Sequence, residues 1–144
     1  MEAKALSCQS SGDWKRAVEL FEAIVAQQPD WEHGLAWSNL AGCYEELNEL
    51  PAARNAYEQA MKFSRRDLMI WGNFASFLFL HGDIKEAFDE HLRLYGAAVQ
   101  GGDADTAQTV ILALQTLAPK LGWTNEDIDL QLSRARNDQF ARKE

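Results

Sequence analysis

Apolar residues recur along this chain at intervals of three and four, the spacing that puts them on one side of an α-helix. Trp37, Leu40, Ala41, Tyr44 and Leu47 form one such stripe, and Ala53, Ala56, Tyr57 and Ala60 form the next. The stripes are punctuated by Asn48-Glu49-Leu50-Pro51, His81-Gly82-Asp83 and Gly101-Gly102-Asp103, where Gly suits the end of a helix and Pro suits the start of one. Ala107, Val110, Ile111, Leu114, Leu117 and Ala118 trace a further stripe that Pro119 stops. The last helix is expected to start at Thr124, whose hydroxyl is placed to cap Asp127. It turns Ile128, Leu132 and Ala135 inward and carries Arg134, Arg136, Arg142 and Lys143 late, where cations suit the helix dipole. The pattern predicts helices over 2–10, 13–27, 34–48, 51–63, 68–81, 84–99, 104–118 and 124–140, and no strand.

The stripes repeat. Trp37 and Trp71 stand 34 positions apart, and the same shift carries Asn39 to Asn73, Leu40 to Phe74, Ala41 to Ala75, Tyr44 to Leu78 and Ala53 to Ala87. An earlier copy runs from Gly12-Asp13-Trp14 through Ala17, Phe21 and Ile24 to Pro29. Its Ala17 lies 36 positions before Ala53, so two additional residues fall in the connection, assigned to Glu32-His33. Small Ala53 and Ala87 would let neighbouring helices approach closely. Each copy is a pair of helices.

The run Trp37-x-x-Leu40-Ala41-x-x-Tyr44 followed by Ala53 and Tyr57, with its counterpart from Gly12 to Pro29, resembles the tetratricopeptide repeat. The resemblance covers about residues 2–98 as three units, 2–31, 34–67 and 68–98, with the helices at 104–118 and 124–140 behind them. Three departures stand out: a short first helix without its Trp, Arg65 at the place of the closing Pro, and His91 at the place of Tyr57's aromatic. The resemblance implies an all-α, right-handed superhelical array of antiparallel helix pairs, an α-solenoid in a single domain spanning 1–144. Its last helix would cap the open end.

Composition narrows the function classes. Of 144 residues 22 are Asp or Glu and 14 Lys or Arg, a net charge of −8, so neutralising nucleic-acid phosphate is a poor explanation of this surface. Two cysteines, Cys8 and Cys43, are too few for a disulfide framework and fit a reducing compartment. No apolar run approaches the ~18 residues that cross a bilayer. Met1-Glu2-Ala3-Lys4 leads to Ser11-Gly12 without the apolar stretch of a secretory leader. A cytoplasmic protein without a membrane partner is expected.

The chemical inventory is thin. His33, His81 and His91 are scattered without metal-ligand spacing, and no nucleophile elbow or phosphate-cradling loop occurs, so no catalytic residue, metal or cofactor is expected. The carboxylates at Glu45-Glu46, Glu49 and Asp89-Glu90 read as solvated helix faces. Trp14, Trp37 and Trp71 read as core, while Trp31 and Trp123 fall in connections as wedges.

The faces turned away from these stripes hold Leu35, Ser38, Asn39, Gly42, Glu45 and Glu46 on one first helix and Met69, Gly72, Asn73, Ser76, Phe79 and Leu80 on the next. The resemblance implies that first helices line a concave groove, which makes this strip the candidate site for a peptide or helix of another protein. Helices packed ~8–10 Å apart would set Asn39 and Asn73 about three extended residues apart at ~3.3 Å each. A carboxamide offers donor and acceptor together, which suits a peptide unit. The family's class that clamps a terminal carboxylate with cationic side chains is excluded, because only Asn39 fits it and Met69, Asn73, Glu2 and Leu6 occupy the other places. The expected partner combines apolar anchors with Lys or Arg, and the protein is read as an interaction module or adaptor. The alternative is a structural subunit that self-associates through the ends of the array.

Overall fold

The computed structural model describes residues 2–64 and 67–143, with side chains through Asn137; Arg65 and the side chains of Arg142 and Lys143 lie outside the described residues. The described residues form α1 (Glu2–Ser11), α2 (Trp14–Gln27), α3 (Leu35–Glu46), α4 (Leu50–Phe63), α5 (Leu68–His81), α6 (Ile84–Gln100), α7 (Ala104–Leu117) and α8 (Asn125–Lys143), with 3-10 turns at Trp31–Gly34 and Ala118–Leu121. No strand occurs among them. The fold is an all-α array in which successive helices pair, as the 34-residue period requires.

Local chemistry sets the boundaries. At Gly12 the chain turns left-handed (φ 82°), its N–H bonds Gln9 O at 3.2 Å, and the Asp13 N–H bonds Cys8 O at 2.9 Å. Gly102-Asp103 repeats the device, with bonds to Val99 O at 3.2 Å and Ala98 O at 2.9 Å. The Asp of each pair then caps the following helix, Asp13 accepting from the Arg16 N–H and Asp103 from the Thr106 N–H. One Gly-Asp dipeptide therefore closes a helix and opens another. Asn48 (φ 57°) takes the Gly role after α3, which is why that helix stops at Glu46 rather than at 48. Before α8, the Thr124 hydroxyl accepts from the Asp127 N–H at 3.1 Å and the Asp127 carboxylate from the Thr124 N–H at 2.8 Å, the expected capping box.

Packing divides the chain into two compact units, with the boundary inside α5 between Phe74 and Ala75. In the first unit α1 lies on α2, α2 on α3, and α3 on α4. Small residues dominate the buried positions: Ala5, Ala17, Ala36, Ala41, Ala53 and Ala60 are fully buried, and Phe21 and Leu40 are the large side chains buried with them. The turn Trp31–Gly34 closes against α4 through Gly34. A Cβ on this residue would stand 2.6 Å from Ala60 O, and its φ of 93° is left-handed. Glu32 and His33, the two additional residues, are left-handed as well (φ 49° and 53°), a conformation uncommon outside glycine.

In the second unit α6 is central, packed on α7 and on α8. Phe88 and Leu94 of α6, Leu114 of α7, and Ile128 and Leu132 of α8 are buried. Trp123, expected from the sequence to be a wedge, sets its ring edge-on to Phe88 with centroids 4.8 Å apart. Ala135, expected inward, is half-buried.

Candidate functional site

α3 carries six of the twelve candidate residues, and the structure sorts them by depth. Leu35, Asn39, Gly42 and Glu45 are half-buried and Glu46 is exposed, whereas Ser38 is 4% exposed. Ser38 thus departs from its expected place on the open floor. The reason is on α5: the Asn73 amide donates to Ser38 Oγ at 3.3 Å, joining two helices one repeat apart. Asn73 itself stays exposed, as do Met69, at 59%, and Ser76. At Gly42 and Gly72 an added Cβ would meet nothing within 4 Å, so space is open beside both backbones.

The Asn73 geometry leaves chemistry to spare. A carboxamide has two N–H donors and an oxygen that accepts twice, and the Ser38 bond uses one donor. The first turn of α5 is held by Asp67, whose carboxylate accepts from the N–H groups of Met69 at 2.9 Å and Ile70 at 3.2 Å. Leu80 (66% exposed) and Phe79 belong to the second unit, where Phe79 meets the His91 ring at 6.1 Å, nearly edge-on. Nothing in the hydrophobic pattern signals that contact.

The carboxylates beside this face are partly engaged. The Tyr57 hydroxyl donates to Glu45 Oε1 at 2.9 Å, and the Tyr44 hydroxyl donates to the Glu22 carboxylate. Burial first, then the neighbouring carboxylate, holds each phenol protonated far above its usual range. Burial, reinforced by Glu46, pushes the Cys43 thiol up to about 11, which makes it unreactive at neutral pH. His91 is buried, and Nδ1 lies 2.7 Å from Ala87 O. Its desolvation lowers the imidazole's proton affinity, only partly offset by that bond and by Glu90. Among the described residues no group of three His, Cys, Asp or Glu side chains is placed to hold a metal, and no helix is long and apolar enough to cross a membrane. What the face can do is hydrogen-bond a polar backbone and bury apolar side chains.

Sequence patterning missed one feature of the first unit, a recess lined by Glu2, Ile24, Gln27, Gln28 and Trp31. Its signals were the lone Trp31 in a connection and the inserted pair beside it.

Comparison with known proteins adds to this picture. Residues 9–72 match the family model described as tetratricopeptide repeat. The tetratricopeptide repeat-containing protein trd-1 of Caenorhabditis elegans is 23% identical over 132 residues, covering 92% of this chain and 16% of that protein. A chloroplastic protein of Arabidopsis thaliana is 32% identical over 65 residues, covering 44% of this chain and 19% of that protein. The chain therefore spans less than a fifth of the length of either relative. Period, helix pairing and these matches agree: residues 9–72 are tetratricopeptide repeat, and the chain as a whole is similar to a protein that carries such repeats.

Proposed function

We propose that this protein is a non-catalytic interaction module that docks an extended peptide or a helix of a partner protein along the exposed faces of its first helices. The family is generally one of protein–protein interaction, which sets the class. The observation that carries the finer reading is Asn73, exposed and fixed from beneath by Ser38 while its oxygen and second N–H stay available. Asn39 is its sequence counterpart one repeat earlier. Ser38 belongs to the site as a positioning group rather than as a contact. Within the first unit Leu35 and Met69 supply apolar contact, and Gly42 and Gly72 keep the floor low.

Glu45 and Glu46 edge the face, and the chain carries −8, so a partner mixing apolar anchors with Lys or Arg is favoured over an acidic one. Peptides selected from a display library, remade in basic and acidic versions, test this across a salt series. The basic version should associate faster, with the advantage shrinking as salt shortens the screening length to ~8 Å and below. Equal rates at all salt concentrations would remove the charge argument. Two free thiols, Cys8 and Cys43, support a reducing compartment as part of the same proposal.

Self-association is the competing reading, favoured by the exposure of Phe79, Leu80 and Ile84 in the second unit. Sedimentation over a wide concentration range separates the two. A monomer throughout supports docking of a different protein.

A further inference from the structure

The recess of the first unit is lined by none of the candidate residues of the α3 face and has a different chemistry. Glu2, Ile24, Gln27, Gln28 and Trp31 line a shallow concavity of about 390 Å³ that is broadly open to solvent. That is near the lower end of small-ligand pockets and suits a side chain or head group rather than a helix. Ile24 gives an apolar wall, the half-buried Trp31 an aromatic surface, and Gln27 and Gln28 carbonyl oxygens that accept hydrogen bonds. Glu2 brings the formal charge. The exposed Asp30 and Glu32 flank Trp31 with the same sign, against Lys4 two residues beyond Glu2. The turn that delivers Trp31 is the one with the two inserted, left-handed residues Glu32 and His33.

A carboxylate, an indole face and carboxamide oxygens around one small space complement a planar, delocalised cation. A guanidinium stacks on aromatic rings, pairs with a carboxylate through two parallel N–H bonds, and gives up its weak hydration readily. An anion would meet Glu2 directly, and a purely apolar group would make no use of the carboxylate or of the two exposed Gln amides. We propose that this recess binds an alkylguanidinium group, carried either by an arginine of a partner protein or by a free guanidino compound. The site is independent of the Asn39–Asn73 face, so the failure of either leaves the other intact.

The test uses the whole chain and follows its indole N–H signals by NMR, with that of Trp31 assigned through Trp31→Phe. The probes are ethylguanidinium, N-acetyl-Ala-Arg-Ala-amide, and ethylurea as the uncharged counterpart. A saturable shift of the Trp31 signal with a guanidinium probe, absent with ethylurea and weakened about fivefold or more in Glu2→Gln, is the expected result. Response to the peptide alone assigns the recess to a partner's arginine, and response to ethylguanidinium alone assigns it to a free compound. No saturable shift with either probe, an equal shift with ethylurea, or an undiminished response in Glu2→Gln overturns the proposal. Glu2 is exposed and outside the core, so its substitution tests charge rather than folding.

Discussion

Asn73 on α5 donates its side-chain amide to the buried Ser38 hydroxyl on α3 at 3.3 Å, a bond between residues 35 positions apart in two successive repeats. It fixes the orientation of an exposed polar group from beneath. Ser38→Ala should therefore leave the fold in place while weakening peptide binding about two- to tenfold, the range set by one hydrogen bond of ~0.5–1.5 kcal/mol. Titration calorimetry of the variant against a selected peptide checks this, and unchanged affinity would mean that the Ser38 bond does not position the amide for binding.

The two kinds of glycine in the first unit should respond oppositely. Gly34→Ala drives a methyl to 2.6 Å from Ala60 O at a left-handed φ, and should cost at least ~1–3 kcal/mol. Gly42→Ala, inside α3 with open space beside it, should stabilise by ~0.5–1 kcal/mol. Urea denaturation of both proteins decides. Equal midpoints would contradict the close approach of the turn to α4.

Ala53 and Ala87 occupy the same place in successive repeats and are buried completely or nearly so. Leucine at either should destabilise by ~1–3 kcal/mol through overpacking. If both variants kept the parent's denaturation midpoint, the alignment of the repeats would be wrong.

His91 makes stability depend on pH. Its folded-state proton affinity is lowered by burial, so the unfolded chain binds the proton more readily. The contribution is complete above the unfolded value of about 6.5 and declines as pH falls through the window between that value and the lowered folded one. The thermal midpoint should drop between pH 7.5 and 5.5, and the drop should shrink in His91→Phe, which restores an aromatic at this position of the repeat. The carboxylates of Asp103 and Asp127, held below the usual carboxylate range by their bonds from Thr106 and Thr124, stay ionised between pH 7.5 and 5.5. An equal drop in both proteins would exclude His91 as the cause.

The helices were legible in the sequence because their signals are local: stripes at helical spacing, Gly-Asp junctions, and the Thr124–Asp127 pair. The 34-residue period added the pairing, and the excess of two residues marked Glu32 and His33 as the insertion, whose left-handed conformation only the structure shows. Ser38 was misplaced because a small hydroxyl adds nothing to a hydrophobic stripe, and its burial is decided by Asn73, far along the chain. The recess escaped for a similar reason, since it joins the start of α1 to the end of α2 and to Trp31. Nor does any composition shift mark the boundary between Phe74 and Ala75, which falls within an unbroken helix.

Whether Asn39 and Asn73 bind a partner's backbone is measured most directly by the affinity of one selected peptide for the parent chain and for the Asn39→Ala, Asn73→Ala double variant. Neither residue belongs to the buried core, so both proteins should show the same helical spectrum, with the double variant melting only slightly lower because the buried Ser38 hydroxyl loses its partner. Affinity should be at least about fivefold lower in the double variant, as expected for losing two hydrogen-bonding groups at ~0.5–1.5 kcal/mol each. Equal affinity in two equally folded proteins would contradict a role for these amides in binding.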